Sequence, residues 1–72
     1  MNSTKIAFLI KKRRKELGIT QHKLAELSEV SVRKISDIET AFSDTSVGTL
    51  QKVLEVLGLE MRIDIKRMDN DI

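Results

Sequence analysis

The sequence predicts an all-α fold of four short helices in a row, followed by a single C-terminal β-strand. Three observations carry this. Apolar residues recur at three- and four-residue spacing in four stretches between residues 5 and 57, the period of one buried helix face. Small hydroxyl residues and glycines stand at the ends of these stretches, where helices need caps. Over residues 59–66 the period switches to two, that of a half-buried strand.

The first helix spans residues 5–17, with Ile6, Leu9, Ile10 and Leu17 on one stripe and KKRRK (residues 11–15) on and around the other face. Gly18 stops it, because glycine enters the left-handed conformation of a helix end without a Cβ clash. Thr20 caps a second helix through its hydroxyl, with Leu24, Ala25 and Leu27 as its apolar positions. Ser28, Glu29 and Val30 form a turn. Ser31 caps a third helix whose inner face is Val32, Ile35 and Ile38. TAFSDT (residues 40–45) reads as a loop, with Phe42 tucked against the core. Ser46 caps a fourth helix with the stripe Leu50, Val53, Leu54 and Leu57, and Gly58 ends it. In LEMRIDIK, Leu59, Met61, Ile63 and Ile65 alternate with Glu60, Arg62, Asp64 and Lys66. A frayed helix extension is the alternative, but β-branched Ile63 and Ile65 after a glycine favour a strand. Residues 67–72 form a polar tail. The expected organisation is a helical domain over 1–58, a strand over 59–66 and the tail.

A lone strand leaves its backbone donors and acceptors without partners, and no second strand pattern exists in the 72 residues. A second copy across a twofold axis supplies one, so a homodimer with Leu59, Met61, Ile63 and Ile65 at its interface is expected. A domain this small also gains from such support. Disulfides and thiolate sites are excluded because there is no cysteine, and one histidine makes a zinc site untenable. Met61 and Met68 read as packing residues and His22 as a solvated or phosphate-adjacent side chain. The longest apolar run, IAFLI, falls far short of the ~20 residues of a membrane span, so the expected location is cytoplasmic.

Charge is uneven. Residues 1–34 hold nine Lys/Arg against three Glu, a balance of +6, whereas residues 35–72 hold four against eight Asp/Glu, a balance of −4. The basic half points to a polyanion. Between Thr20 and Ser36 two capped helices follow each other across about three residues, with Arg33 and Lys34 on the first turn of the second. That is a helix-turn-helix arrangement, in which the second helix enters the major groove of DNA and the first crosses the backbone. Thr20, Gln21 and Lys23 open the first of the pair, where free N–H groups and the helix dipole attract phosphate. Ser31, Val32 and Arg33 open the second. Arg33 can hold guanine with two hydrogen bonds, and Val32 can pack on a thymine methyl. Lys34 and Ser36 reach phosphate or base. Asp37 accepts from cytosine or orients Arg33 or Lys34. The KKRRK run adds sequence-independent, salt-dependent attraction.

RKELGITQHKLAELSEVSVRKISDIE (residues 14–39) and TLQKVLEVLGL (residues 49–59) resemble the XRE/Cro/cI family of helix-turn-helix regulators. The resemblance spans roughly residues 6–59, and its most specific element is R…LG-x-TQ-x-x-LA followed by VS and IS-x-IE. It implies a four-helix, lambda-repressor-like domain. It also implies that Gln21 contacts the DNA backbone, that Val32, Arg33 and Asp37 fall at base-reading positions, and that Arg14 and Glu39 form a structural ion pair. Three positions depart from the family. Glu29 and Ala41 stand where glycine is common, and Thr45 where proline is common. Glu29 is therefore strained by ~1 kcal/mol if its site needs positive φ, or the turn has another shape.

The ending LGLEMRIDI is similar to HipB-type antitoxins, whose strand pairs across a dimer. That likeness implies an autoregulating repressor of its own operon, bound to a palindromic operator and to a HipA-like kinase toxin. The alternatives are a stand-alone phage-type regulator, and a module acting mainly by protein binding through its acidic half. No cofactor is expected, and an enzyme is set aside. One histidine, no glycine-rich phosphate loop and little room for a pocket leave no catalytic constellation.

Overall fold

The computed structural model describes residues 3–40, 45–62 and 65. Four helices are found among them: α1 (Ser3–Glu16), α2 (Gln21–Ser28), α3 (Val32–Thr40) and α4 (Val47–Leu57). Helix α2 packs on α3 and α4, and α1 packs on the same pair. No helix among the described residues is long and apolar enough to cross a membrane.

Ile10, Leu24, Ile35, Ile38, Val53 and Leu57 are the largest fully enclosed side chains, with Ala7, Ala25, Leu50 and Leu54 completing the core. Each enclosed aliphatic contributes about 1.5–3 kcal/mol relative to its exposed state. Three sequence assignments need correction. Leu9, Leu17 and Leu27 were placed on inner stripes but are 45%, 42% and 50% exposed. On α1 the inward line runs through Ala7, Ile10 and Arg14, at spacings of three and four. Leu9 lies about 100° off that line. A buried alanine and a buried arginine are invisible to a search for large apolar residues.

The helix ends follow the chemistry of their residues. Ser46 Oγ accepts from Thr49 N at 3.1 Å and starts α4. Gly58 adopts φ 70°, and Leu59 N then closes on Leu54 O at 2.9 Å. Arg13 Nε donates to Leu57 O at 2.8 Å, so a side chain of α1 satisfies an end carbonyl of α4.

Past Gly58 the described residues contain no paired strand. A strand is defined by its ladder, and the described part of the chain supplies none. Leu59 and Met61 are half-buried against the core, while Glu60 and Arg62 are exposed, an alternation of period two. Ile63, Asp64, Lys66 and the tail lie outside the described residues, as do Ala41 and Phe42.

Candidate nucleic-acid interface

The interface is built around two caps and one tight turn. Thr20 is extended (φ −84°, ψ 168°), and its Oγ1 accepts from Lys23 N at 3.0 Å. The remaining N–H groups of that first turn point out of the helix end. At the other end of α2, Ser28 Oγ donates to Leu24 O at 2.6 Å, and Glu29 swings into the left-handed region at φ 59°, ψ 38°. Val30 N then reaches back to Ala25 O at 3.1 Å, the double closure of a Schellman end. Ser31 Oγ accepts from Lys34 N at 3.0 Å, capping α3. Glu29, Val30 and Ser31 are thus the whole connection.

The turn keeps the geometry a glycine would give, with Glu29 in the left-handed state. That conformation costs an L-residue roughly 1–2 kcal/mol. Double closure and two flanking caps hold it there.

On α3, Ile35 and Ile38 face the core and turn Arg33 and Asp37 outward. Neither the Arg33 nor the Asp37 side chain has a hydrogen bond or ion pair among the described residues. Of the two roles open to Asp37, orienting Arg33 is not seen among the described residues. Ser31 is exposed, and Val32, Lys34 and Ser36 are half-buried on the flanks of the same turn. Thr20 and Lys23 are exposed and Gln21 half-buried at the start of α2. Lys23 Nζ lies 3.2 Å from Glu26 Oε1, an exposed pair of little energetic weight.

Behind this surface sits a buried polar brace. Arg14 Nε donates to Glu39 Oε2 at 2.6 Å and Nη2 to Oε1 at 3.1 Å, while Nη1 donates to Ile19 O at 2.8 Å. Gln21 Nε2 adds a 3.1 Å bond to Glu39 Oε1. Arg14 and Glu39 are 8% and 9% exposed, and no buried side-chain polar atom among the described residues lacks a partner. The brace joins α1, the first residue of α2 and the last turn of α3.

The KKRRK run is divided by the fold. Lys11, Lys12 and Lys15 stay exposed, Arg13 caps α4, and Arg14 enters the brace. Sequence reasoning missed Arg13 and the Ile19 carbonyl. A spacing of three and four from Ala7 and Ile10 to Arg14 was the available signal for the inward turn. Among the described residues no cluster of His, Cys, Asp or Glu could hold a metal ion.

Known proteins share this arrangement. The helix-turn-helix family model matches residues 10–63. No curated protein matches the chain significantly. Among solved structures, a point mutant of the restriction-modification controller protein C.Esp1396I is 33% identical, with a TM-score of 0.75 over 81% of this chain and 75% of that one. A HipB variant in complex with an O2 20-mer is 28% identical, with a TM-score of 0.82 over 93% of each chain. The HipA-HipB-O2-O3 complex gives 28% identity and a TM-score of 0.82 over 93% of this chain and 94% of that one. The chain belongs to the XRE-type helix-turn-helix family of DNA-binding regulators and resembles HipB.

Proposed function

We propose that this chain is a sequence-specific transcriptional repressor that binds a palindromic operator as a homodimer and regulates its own operon. The observation that carries the reading is the outward face of the first two turns of α3, where the side chains of Arg33 and Asp37 are exposed and have no partner among the described residues, on a helix capped by Ser31. Arg33 and Val32 read bases, with Asp37, Ser36 and Lys34 beside them. Thr20, Gln21, Lys23 and Ser31 engage the backbone, Gln21 through its peptide N–H while its amide serves Glu39. Residues 1–58 form the DNA-binding unit, and residues 59–66 form the dimerising strand through Leu59, Met61, Ile63 and Ile65. Twofold symmetry places the half-sites a whole number of turns apart, ~34 Å per turn. The protein performs no chemistry and works in the cytoplasm, where its DNA is.

The antitoxin role, with a HipA-like kinase toxin as partner, is supported by the likeness to HipB extending over 93% of this chain. A second reading, a stand-alone regulator without a toxin, is supported by the 33% identity to a restriction-modification controller.

Fluorescence anisotropy tests the core of the proposal. Wild type and Arg33→Ala are titrated with the DNA upstream of the gene and with a scrambled duplex, at two salt concentrations. Arg33→Ala should lose ~1–3 kcal/mol of preference for the upstream DNA. Equal binding of both duplexes by both proteins, abolished by salt, would leave only a non-specific basic surface. Co-expression with an adjacent kinase-like gene separates the two readings: a stable complex supports the antitoxin role, and its absence supports the stand-alone regulator.

A further inference from the structure

One aromatic ring stands in water on the outer side of α1. Phe8 is 62% exposed, although phenylalanine is ordinarily among the most buried residues. Lys11, Lys12 and Lys15 follow it at three, four and seven positions, so the four residues share one helix face, turned away from Ala7, Ile10 and Arg14. Together with Glu16 they bound a shallow depression to which α1 alone contributes. The three ammonium groups are exposed and have no hydrogen bond or ion pair among the described residues. The acid at the edge is already engaged, with Glu16 Oε1 3.5 Å from Arg13 Nη1.

We propose that this face binds single-stranded nucleic acid, with a base stacked on the Phe8 ring and neighbouring phosphates held by Lys11, Lys12 and Lys15. The site belongs to α1 and does not depend on operator reading by α2 and α3. Lysines alone suit any polyanion; the ring narrows the choice. In a duplex the bases are paired and stacked inside, and the backbone outside offers nothing for a phenyl ring to stack on. An unpaired strand offers a flat base and a phosphate in every nucleotide, the combination that an aromatic ring among cations receives. From Phe8 to Lys15 the helix rises about 10 Å, the length of roughly three stacked nucleotides at ~3.4 Å each. One stacked base and up to three phosphates therefore fit. Residue type separates a nucleic acid from an acidic protein. Protein interfaces are enriched in arginine and depleted in lysine. Here both arginines of the run are committed inside the fold, Arg13 to Leu57 O and Arg14 to Glu39, and the lysines are left outside. A lysine is a point charge on a flexible stem, able to follow phosphates that shift as a strand flexes. Stacking and charge are common to DNA and RNA, so the site takes the unpaired strand of either.

Fluorescence anisotropy over a salt series tests the site in the full chain. The probes are oligo-dT and oligo-U of about twelve nucleotides, within the range of single-strand sites, and a scrambled duplex. Wild type is compared with Phe8→Ala, Phe8→Leu, Phe8→Trp and the triple variant Lys11→Gln, Lys12→Gln, Lys15→Gln, each shown to be folded by circular dichroism. Phe8→Ala and Phe8→Leu should both weaken single-strand binding roughly 5- to 150-fold, because leucine keeps the apolar bulk and loses the flat face. Neither should change duplex affinity or the salt slope, and Phe8→Trp should bind the single strand at least as tightly as wild type. The triple variant should flatten the single-strand slope by up to ~0.7 per lost phosphate contact. Comparing oligo-dT with oligo-U then shows which of the two strands is preferred. Wild-type single-strand affinity in Phe8→Leu, with a polyglutamate peptide competing for the face, overturns stacking and assigns the face to an acidic protein. An equal loss on single strand and duplex in Phe8→Ala also overturns the proposal, as does a wild type that binds neither oligonucleotide at low salt.

Discussion

Gln21 and Glu39, eighteen positions apart, share a 3.1 Å hydrogen bond in which the Gln21 amide donates to the Glu39 carboxylate. The same oxygen accepts from Arg14 Nη2 at 3.1 Å. The first residue of α2 is thereby fixed to the last turn of α3, so the two helices of the turn hold a set relation to each other. Gln21 is a positioning residue through its side chain, whatever its peptide N–H meets on DNA.

Removing Glu39 should therefore be costly in stability. Glu39→Ala leaves the Arg14 guanidinium, 8% exposed, without a countercharge. Breaking a buried pair in this way costs about 3–5 kcal/mol. Glu39→Gln keeps one acceptor and should lose less. Urea unfolding followed by circular dichroism measures both, and a loss below ~1 kcal/mol for the alanine variant would show that the brace bears little of the stability.

Glu29→Gly should stabilise the domain. The left-handed state (φ 59°) costs roughly 1–2 kcal/mol for a residue with a Cβ, and glycine returns about 0.5–1 of that through its freer unfolded chain. The net gain is ~0.5–1 kcal/mol, visible as a higher Tm. Glu29→Ala is the control. It keeps the Cβ and gains only the few tenths that follow from removing a carboxylate near a helix C-terminus. Equal gains for both variants would assign the effect to charge instead of backbone strain.

Thr20→Ala should lose ~1 kcal/mol of stability, because its hydroxyl is the acceptor for Lys23 N at 3.0 Å. Ser46→Ala removes the equivalent cap from α4, at 3.1 Å from Thr49 N, and should lose a similar amount. Affinity for the operator should fall with Thr20→Ala, measured at a temperature where both variants remain folded. An unchanged affinity would remove Thr20 from the DNA surface.

Lys11, Lys12 and Lys15 have no ion-pair partner among the described residues. Changing all three to Gln should weaken operator and scrambled duplex alike and flatten the dependence of log K on log salt by up to ~0.9 per lost phosphate contact. Arg33→Ala should instead narrow the gap between the two duplexes. If neutralising the lysines alters selectivity while leaving the salt slope untouched, the division of labour between α1 and α3 is wrong.

The helices were legible because their signals are local. Thr20, Ser31 and Ser46 each cap the helix assigned to them, and Gly18 and Gly58 both take positive φ. Glu29 was legible as an anomaly, and its resolution needed coordinates: strain and an altered turn are equal on paper, and the bonds at Ala25 and Glu26 decide for strain. Arg13 was not legible. Its partner is a backbone carbonyl 44 positions away, and a carbonyl leaves no mark in a sequence. Nor was the exposure of Leu9, Leu17 and Leu27 legible, since helical period locates a stripe only to within about one residue's rotation. The proposed base-reading roles of Val32, Arg33 and Asp37 rest on the pattern and on their placement on the outward side of α3.

Arg13 and Gly58 meet where α4 ends, with the Arg13 Nη2 atom 3.5 Å from the point where a Gly58 side chain would begin. In a dimer joined through residues 59–66, the angle at which the chain leaves Gly58 becomes the angle between two whole domains. A rotation of a few degrees there is magnified by the length of the domain into ångströms at the reading helices. Substitutions at Arg13 or Gly58 that leave the fold intact should thus act as a calibration screw, shifting the preferred separation of operator half-sites while each half-site is still read in the same bases.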